Sequence, residues 1–128
     1  MKQIGLLLFL IILSSSSVFG ENINVPNDHA TIQSAIDVAL NGDTIEVAAG
    51  TYVENINFYG KQLLLSGETA ETTIIDGNWQ GKTVQLNGSS TIQNFTITGG
   101  DGGRGSGMTI TGNDATVKNC IFTDNKGW

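Results

Sequence analysis

Apolar positions along this chain return at long intervals, separated by Gly, Asn and Asp. Thr73-Ile74-Ile75-Asp76-Gly77 recurs as Thr96-Ile97-Thr98-Gly99-Gly100 and again as Ile121-Phe122-Thr123-Asp124-Asn125, at spacings of 23 and 25 residues. A second series interleaves with the first: Leu63-x-Leu65-Ser66-Gly67, Val84-x-Leu86-Asn87-Gly88 and Met108-x-Ile110-Thr111-Gly112, each reading apolar, any, apolar, small polar, glycine. Apolar residues two apart are the period of a strand, whose successive side chains point to opposite faces. Two strand types alternating within a repeat of this length describe a chain wound into stacked coils, each burying its apolar face against its neighbours.

Short strands are predicted at 44–47, 55–58, 62–65, 73–75, 84–86, 92–97, 108–110 and 117–122. With 17 glycines and a single proline, the corners between them are made by residues that tolerate positive φ. Ahead of the strands, 31–40 places Ile32, Ala35, Ile36, Ala39 and Leu40 at helical spacing, an amphipathic helix of about three turns. Thr31 or Asp28 can cap its start, and Asn41-Gly42 supplies a left-handed residue to end it. A stack of coils exposes apolar side chains and unpaired backbone at its end, so the helix reads as a lid on the first coil.

The fold class expected is therefore all-β, a parallel β-helix of about three to four coils over 44–128, preceded by a lead segment and capping helix at 21–43. Nothing after Phe122 reads as a closing segment, and Asn125-Lys126-Gly127-Trp128 stops in mid-pattern. The coils are thus expected to be incomplete at the C-terminus, the chain being the first piece of a longer protein. Asn94 and Asn119 fall 25 residues apart in matching segments, which predicts a structural ladder with their amides bonded along the axis. Phe95 over Cys120 and Ile97 over Phe122 are the corresponding interior stacks.

The first residues change the setting. Met1-Lys2, the uncharged run Ile4 to Leu13, and Ser14 to Gly20 have the charged start, apolar middle and small-residue end of a secretory signal, with cleavage expected after Gly20. That run is about half the roughly 20 residues a bilayer crossing needs, so no transmembrane segment is expected after cleavage. Secreted, periplasmic and cell-surface locations all satisfy this reading. Without Lys2 the chain keeps five basic against twelve acidic residues, a net charge of −7. No basic cluster exists for phosphate contacts, which argues against nucleic acid. The single Cys120 rules out an internal disulfide framework and sits at an apolar repeat position, as a small core hydrophobe would.

The runs Thr31-Ile32-Gln33-Ser34-Ala35-Ile36, Asn41-Gly42-Asp43-Thr44-Ile45, Gly50-Thr51-Tyr52-x-Glu54-Asn55 and Thr73-Ile74-Ile75-Asp76-Gly77 resemble the opening of right-handed parallel β-helix proteins of the pectin-lyase-like superfamily, lid helix first. Gly105-Ser106-Gly107-Met108 with Phe122-Thr123-Asp124-Asn125 is similar to the repeats of polymorphic outer-membrane proteins. The resemblance implies a right-handed β-helix in an extracellular setting. That superfamily holds pectate lyases, pectinesterases and noncatalytic surface proteins alike, so fold leaves function open. None of its catalytic motifs matches a position here, and no catalytic residue is assigned.

Candidate chemistry concentrates in turns. The loop Gly99 to Gly107 lacks the Gly-Lys-Ser/Thr of a phosphate loop, and Arg104 stands where a calcium-binding nonapeptide needs Asp. It reads as a flexible turn between coils. Asp76, Asp101, Asp114 and Asp124 would, if gathered on one turn face, offer oxygens to Ca2+; no other cofactor or metal is expected. Arg104, the one arginine, is a candidate clamp for a sugar carboxylate. Trp79, on a turn after Asp76-Gly77-Asn78, is a candidate platform for a sugar ring. The ligand-binding candidates are thus Asp76, Trp79, Asp101 and Arg104, with an extracellular polysaccharide or a surface protein as partner. Two function classes follow: a noncatalytic glycan- or protein-binding adhesion module, or the first part of a lyase or esterase acting on uronate polymers.

Overall fold

The computed structural model describes residues 20–127; the predicted signal, apart from Gly20, lies outside them. One helix, α1 (Ile32–Val38), and twelve strands follow in chain order. The strands are β1 (Asn22–Val25), β2 (Thr44–Val47), β3 (Gly50–Val53), β4 (Ile56–Asn57), β5 (Leu64–Gly67), β6 (Thr73–Asp76), β7 (Val84–Asn87), β8 (Thr91–Gln93), β9 (Thr96–Thr98), β10 (Met108–Thr111), β11 (Thr116–Lys118) and β12 (Ile121–Phe122).

Every pairing between them is parallel, and they form three sheets ordered β1-β2-β5-β8-β11, β10-β7-β4 and β12-β9-β6-β3. The fold is a right-handed parallel β-helix of about four turns. Each of the three complete coils contributes one strand to each sheet, so three strand types recur, where the sequence repeats predict two. Leu63 to Gly67 looks like the β7 and β10 segments, yet β5 pairs with β8 in a different sheet. The two series share a motif because all three sheets turn alternate apolar residues inward.

Register along the axis follows those inward residues. Ile23, Ile45, Leu65, Ile92 and Val117 form one column, and Tyr52, Ile75 and Ile97 another that ends on Phe122. The spacing of 23 that aligns Thr73 with Thr96 is corrected to 22, with Ile74 on Thr96 and Ile75 on Ile97. A slip of one residue would turn Ile75 outward, and its burial decides the register. Each fully buried Ile or Leu contributes about 1.5–3 kcal/mol, several times a surface ion pair, so these columns carry most of the stability.

The predicted strands 92–97 and 117–122 are each broken into two. Asn94 (φ 64) and Asn119 (φ 49) are left-handed and turn the chain from the first sheet into the third, a conformation Asn tolerates better than other side chains. The two expected ladder positions are these same corners. They follow one another in register, and Asn94 Nδ2 donates along the axis to Gly67 O (3.3 Å) on the preceding coil. Gly67 is required because a Cβ there would collide with the carbonyl oxygen of Asn94.

The lid rests on the first coil through buried Ile32, Ala35 and Ile36. Thr31 caps it in a box with Ser34. Glu54 then supplies both carboxylate oxygens to the first free N–H groups, Ile32 N and Gln33 N (2.9 Å each). At the other end Lys61 Nζ donates to the carbonyls of Ile36 (2.7 Å), Asp37 (2.9 Å) and Ala39 (2.9 Å). An anion at the N-terminus and a cation at the C-terminus both oppose the helix dipole. The Gln33 amide pairs with the backbone of Asn57, accepting from its N–H (2.8 Å) and donating to its C=O (3.1 Å), as a neighbouring strand would. The helix is shorter than the predicted 31–40. It ends at Val38, Ala39 is extended (ψ 146), and Leu40 is 73% exposed rather than in the apolar stripe. The buried Asp43 carboxylate accepts from Leu40 N (2.8 Å) and Glu21 N (2.8 Å), drawing the chain toward β2.

The opposite end carries no lid among the described residues: Ile110, Ile121 and Phe122 are 51%, 41% and 49% exposed. Phe122 therefore continues the Ile97 column without being enclosed.

Glu54→Ala is expected to cost about 1–3 kcal/mol in urea denaturation, since two helix N–H groups lose a charged acceptor. A loss below about 0.3 kcal/mol would mean that Ile32 and Ile36 alone seat the lid. Gly67→Ala should cost about 2–3 kcal/mol by overpacking against Asn94; unchanged stability would contradict the corner geometry.

Candidate functional site

Three of the four ligand-binding candidates meet on one corner. Between β6 and β7 the chain turns through Gly77 to Gly81, stacked on Gly99 to Asp101 and on Asp124 to Lys126. Asp76 Oδ1 accepts from Asn78 N (2.8 Å), which starts the turn. Asn78 (φ 50) and Trp79 (φ 58) are consecutively left-handed. For an aromatic residue that conformation costs of order 1–3 kcal/mol and persists only where its surroundings fix it. Trp79 N donates to Gly99 O (2.7 Å), and Asp101 N to Gly81 O (2.9 Å). The Trp79 ring is thereby held outward, 44% exposed, with Lys126 Nζ 4.3 Å from its centroid. At an exposed site such a cation–π contact is worth about 0.5–1 kcal/mol. The corner thus brings together an exposed aromatic ring, a cation over it and, in the same stacked turns, Asp76 and Asp101.

Arg104 lies elsewhere. It lines a hollow of about 540 Å³ on the open end, with Met108, Ile110, Val117 and Phe122. The glycine-rich loop that carries it is pinned, since Thr83 N and Val84 N donate to Ser106 O (2.9 Å) and Gly107 O (3.0 Å), and Gly100 N to Asn125 Oδ1 (2.9 Å). Asp114 (φ 64) stands apart from the Trp79 corner, in the turn between β10 and β11. Among the described residues no group of three or more His, Cys, Asp or Glu side chains is placed to hold a metal ion. No described helix is long and apolar enough to cross a membrane.

A second polar surface was missed from the sequence. Outward residues of the first sheet form the column Asn24, Glu46, Ser66, Gln93, Lys118. Where this face bends into the third sheet it forms a cavity of about 440 Å³, lined by Asn24, Asn27, Glu46, Ser66, Glu68 and Asn94. The signal existed: Glu46 and Ser66 stand between buried Ile45 and Val47, and Leu65 and Gly67, so alternation alone turns both outward. Next to the cavity, Tyr52 donates its hydroxyl to Ala48 O (2.8 Å). Burial, then the charges of Glu54 and Glu68, push its pKa above 10.0.

Cys120 is half-buried and free, and its Sγ contacts Lys118 O (3.3 Å). Burial raises its pKa above 9.0, which lowers the thiolate fraction near neutrality.

No protein-family model matches the chain, and no curated protein matches it in sequence. Among solved structures it is similar to pectin methylesterase from carrot, with a TM-score of 0.63 and 17% identity over 77% of this chain. The chain spans 38% of the length of that protein. A likeness at this identity concerns the fold, and it agrees with the β-helix described above.

At pH 8 Cys120 should react with iodoacetamide more slowly than a free cysteine peptide, and accelerate as pH rises past 9. Reaction as fast as the peptide would contradict its burial.

Proposed function

We propose that this chain is a secreted or cell-surface β-helix module that binds glycan without transforming it. The Trp79 corner carries the proposal. An aromatic ring fixed in an unfavourable backbone conformation, exposed, and flanked by Asp76 and Asp101 joins a flat apolar face to hydroxyl-binding carboxylates, the combination a sugar ring requires. The charged start and apolar run of residues 1–20 support export. Net negative charge favours neutral over polyanionic saccharides, because an acidic surface repels a polyuronate.

A second reading is favoured by one observation, the likeness in fold to a pectin methylesterase. On that reading the chain would be part of an esterase or lyase acting on uronate polymers.

Affinity electrophoresis against neutral and acidic polysaccharides tests both. The chain should be retarded by at least one neutral polysaccharide, and Trp79→Ala should weaken retardation about three- to tenfold, the loss of one aromatic stack. Methyl-esterified pectin incubated with the protein should release no methanol and no unsaturated uronate. Unchanged retardation in Trp79→Ala would sink the platform, and methanol release would establish the second reading.

A further inference from the structure

We propose that removal of residues 1–20 creates the partner of the buried Asp43 carboxylate: the α-ammonium group of Glu21. The resulting ion pair locks the first coil in the processed chain alone. This rests on the reading of residues 1–20 as an export signal. Asp43 is 6% exposed and lies between α1 and β2. Its Oδ2 accepts from Leu40 N (2.8 Å) and its Oδ1 from Glu21 N (2.8 Å), so one carboxylate joins the end of the lid to the residue that leads into β1. Thr44 N donates in turn to Glu21 O (2.8 Å), and Leu64 N to Asp43 O (3.1 Å), which fixes both residues against the strands of the first sheet.

A buried carboxylate calls for a cation, and in the unprocessed chain both of these donors are neutral amides. Lys61 donates to the carbonyls of Ile36, Asp37 and Ala39 instead. Hydrolysis of the Gly20–Glu21 bond by an endopeptidase of the export route supplies the charge. Water adds its oxygen to the Gly20 carbonyl carbon, which departs as a carboxylate, and both of its protons pass to Glu21 N. A single N–H donor 2.8 Å from Asp43 Oδ1 thereby becomes an ammonium with three, cationic near neutral pH as α-amino groups are. Cleavage one residue earlier would set the charge about 3.8 Å further along the chain. The backbone marks the same junction independently of the signal pattern. A Cβ at position 20 would collide with the carbonyl oxygen of Gly42, so glycine is the residue that passes this turn without displacing it.

Mass spectrometry of the chain exported from the full precursor should show Glu21 as its first residue. That chain is then compared with one beginning at Gly20, which differs only by a residue that fits the turn. In urea the chain beginning at Gly20 should have an unfolding constant about five- to thirtyfold larger, and Asp43→Asn should remove that difference. A second measurement needs no variant. At pH 7 the Glu21 amine of the folded exported chain should react with an N-hydroxysuccinimide ester at least about tenfold more slowly than the same amine after unfolding in urea, because the carboxylate holds it in the charged form. A first residue other than Glu21 would overturn the signal reading and the proposal with it. Glu21 at the terminus with equal stability of the two chains, a difference that persists in Asp43→Asn, or an amine as reactive folded as unfolded would overturn the ion pair and leave the signal reading standing.

Discussion

Parallel strands stacked coil on coil leave the first coil with a row of unpaired backbone groups and a bare apolar cross-section. The closure of that end is the constraint on which the rest of this structure depends. Three pieces share the task. β1 pairs with β2 and extends the first sheet, Gln33 pairs its amide with Asn57 along the β4 edge, and Ile32, Ala35 and Ile36 cover the interior. A helix of seven residues is too short to be stable by propensity. Its persistence comes from apolar contact below and from Glu54 and Lys61 at its two ends, each reaching from the coil it covers. Lid and first coil are therefore mutually dependent.

Much of this architecture could be read from the chain. Coiled repeats, a lid helix and an interior of stacked Ile and Leu all follow from apolar spacing, and Thr31 is one of the two caps that the sequence offers. The number of sheets did not, because an apolar-x-apolar motif marks an inward strand without saying which of three sheets it joins. Leu63 to Gly67 and Val84 to Gly88 are alike locally and separate only once pairing partners are known. Asn94 and Asn119 were recognised as equivalent, yet their role as left-handed corners was hidden inside apolar runs that read as continuous strands. The end of the helix depended on Asp43, a buried acceptor whose partners are Leu40 N and the distant Glu21 N.

The surfaces follow the same logic. Trp79 was visible as a turn aromatic, but its partner Lys126 lies 47 residues away and meets it only because corners stack as strands do. Asp76 and Asp101 join that corner, whereas Arg104, further along the Asp101 loop, lines the hollow on the open end and Asp114 falls in another turn. The Glu46 and Glu68 cavity lacks any motif. It lies at the bend between two sheets and is lined by residues of successive coils. Binding chemistry on a solenoid is thus a property of columns and corners, and repeat offsets locate it better than local sequence does.

Amide hydrogen exchange on the full chain tests the central claim most directly. If the lid end is the sealed one, the amides of Ile45, Leu65 and Ile75 should exchange near the global unfolding limit, while those of β10, β11 and β12 exchange orders of magnitude faster. Equal protection along the whole axis, or slowest exchange in the last coil, would contradict the account.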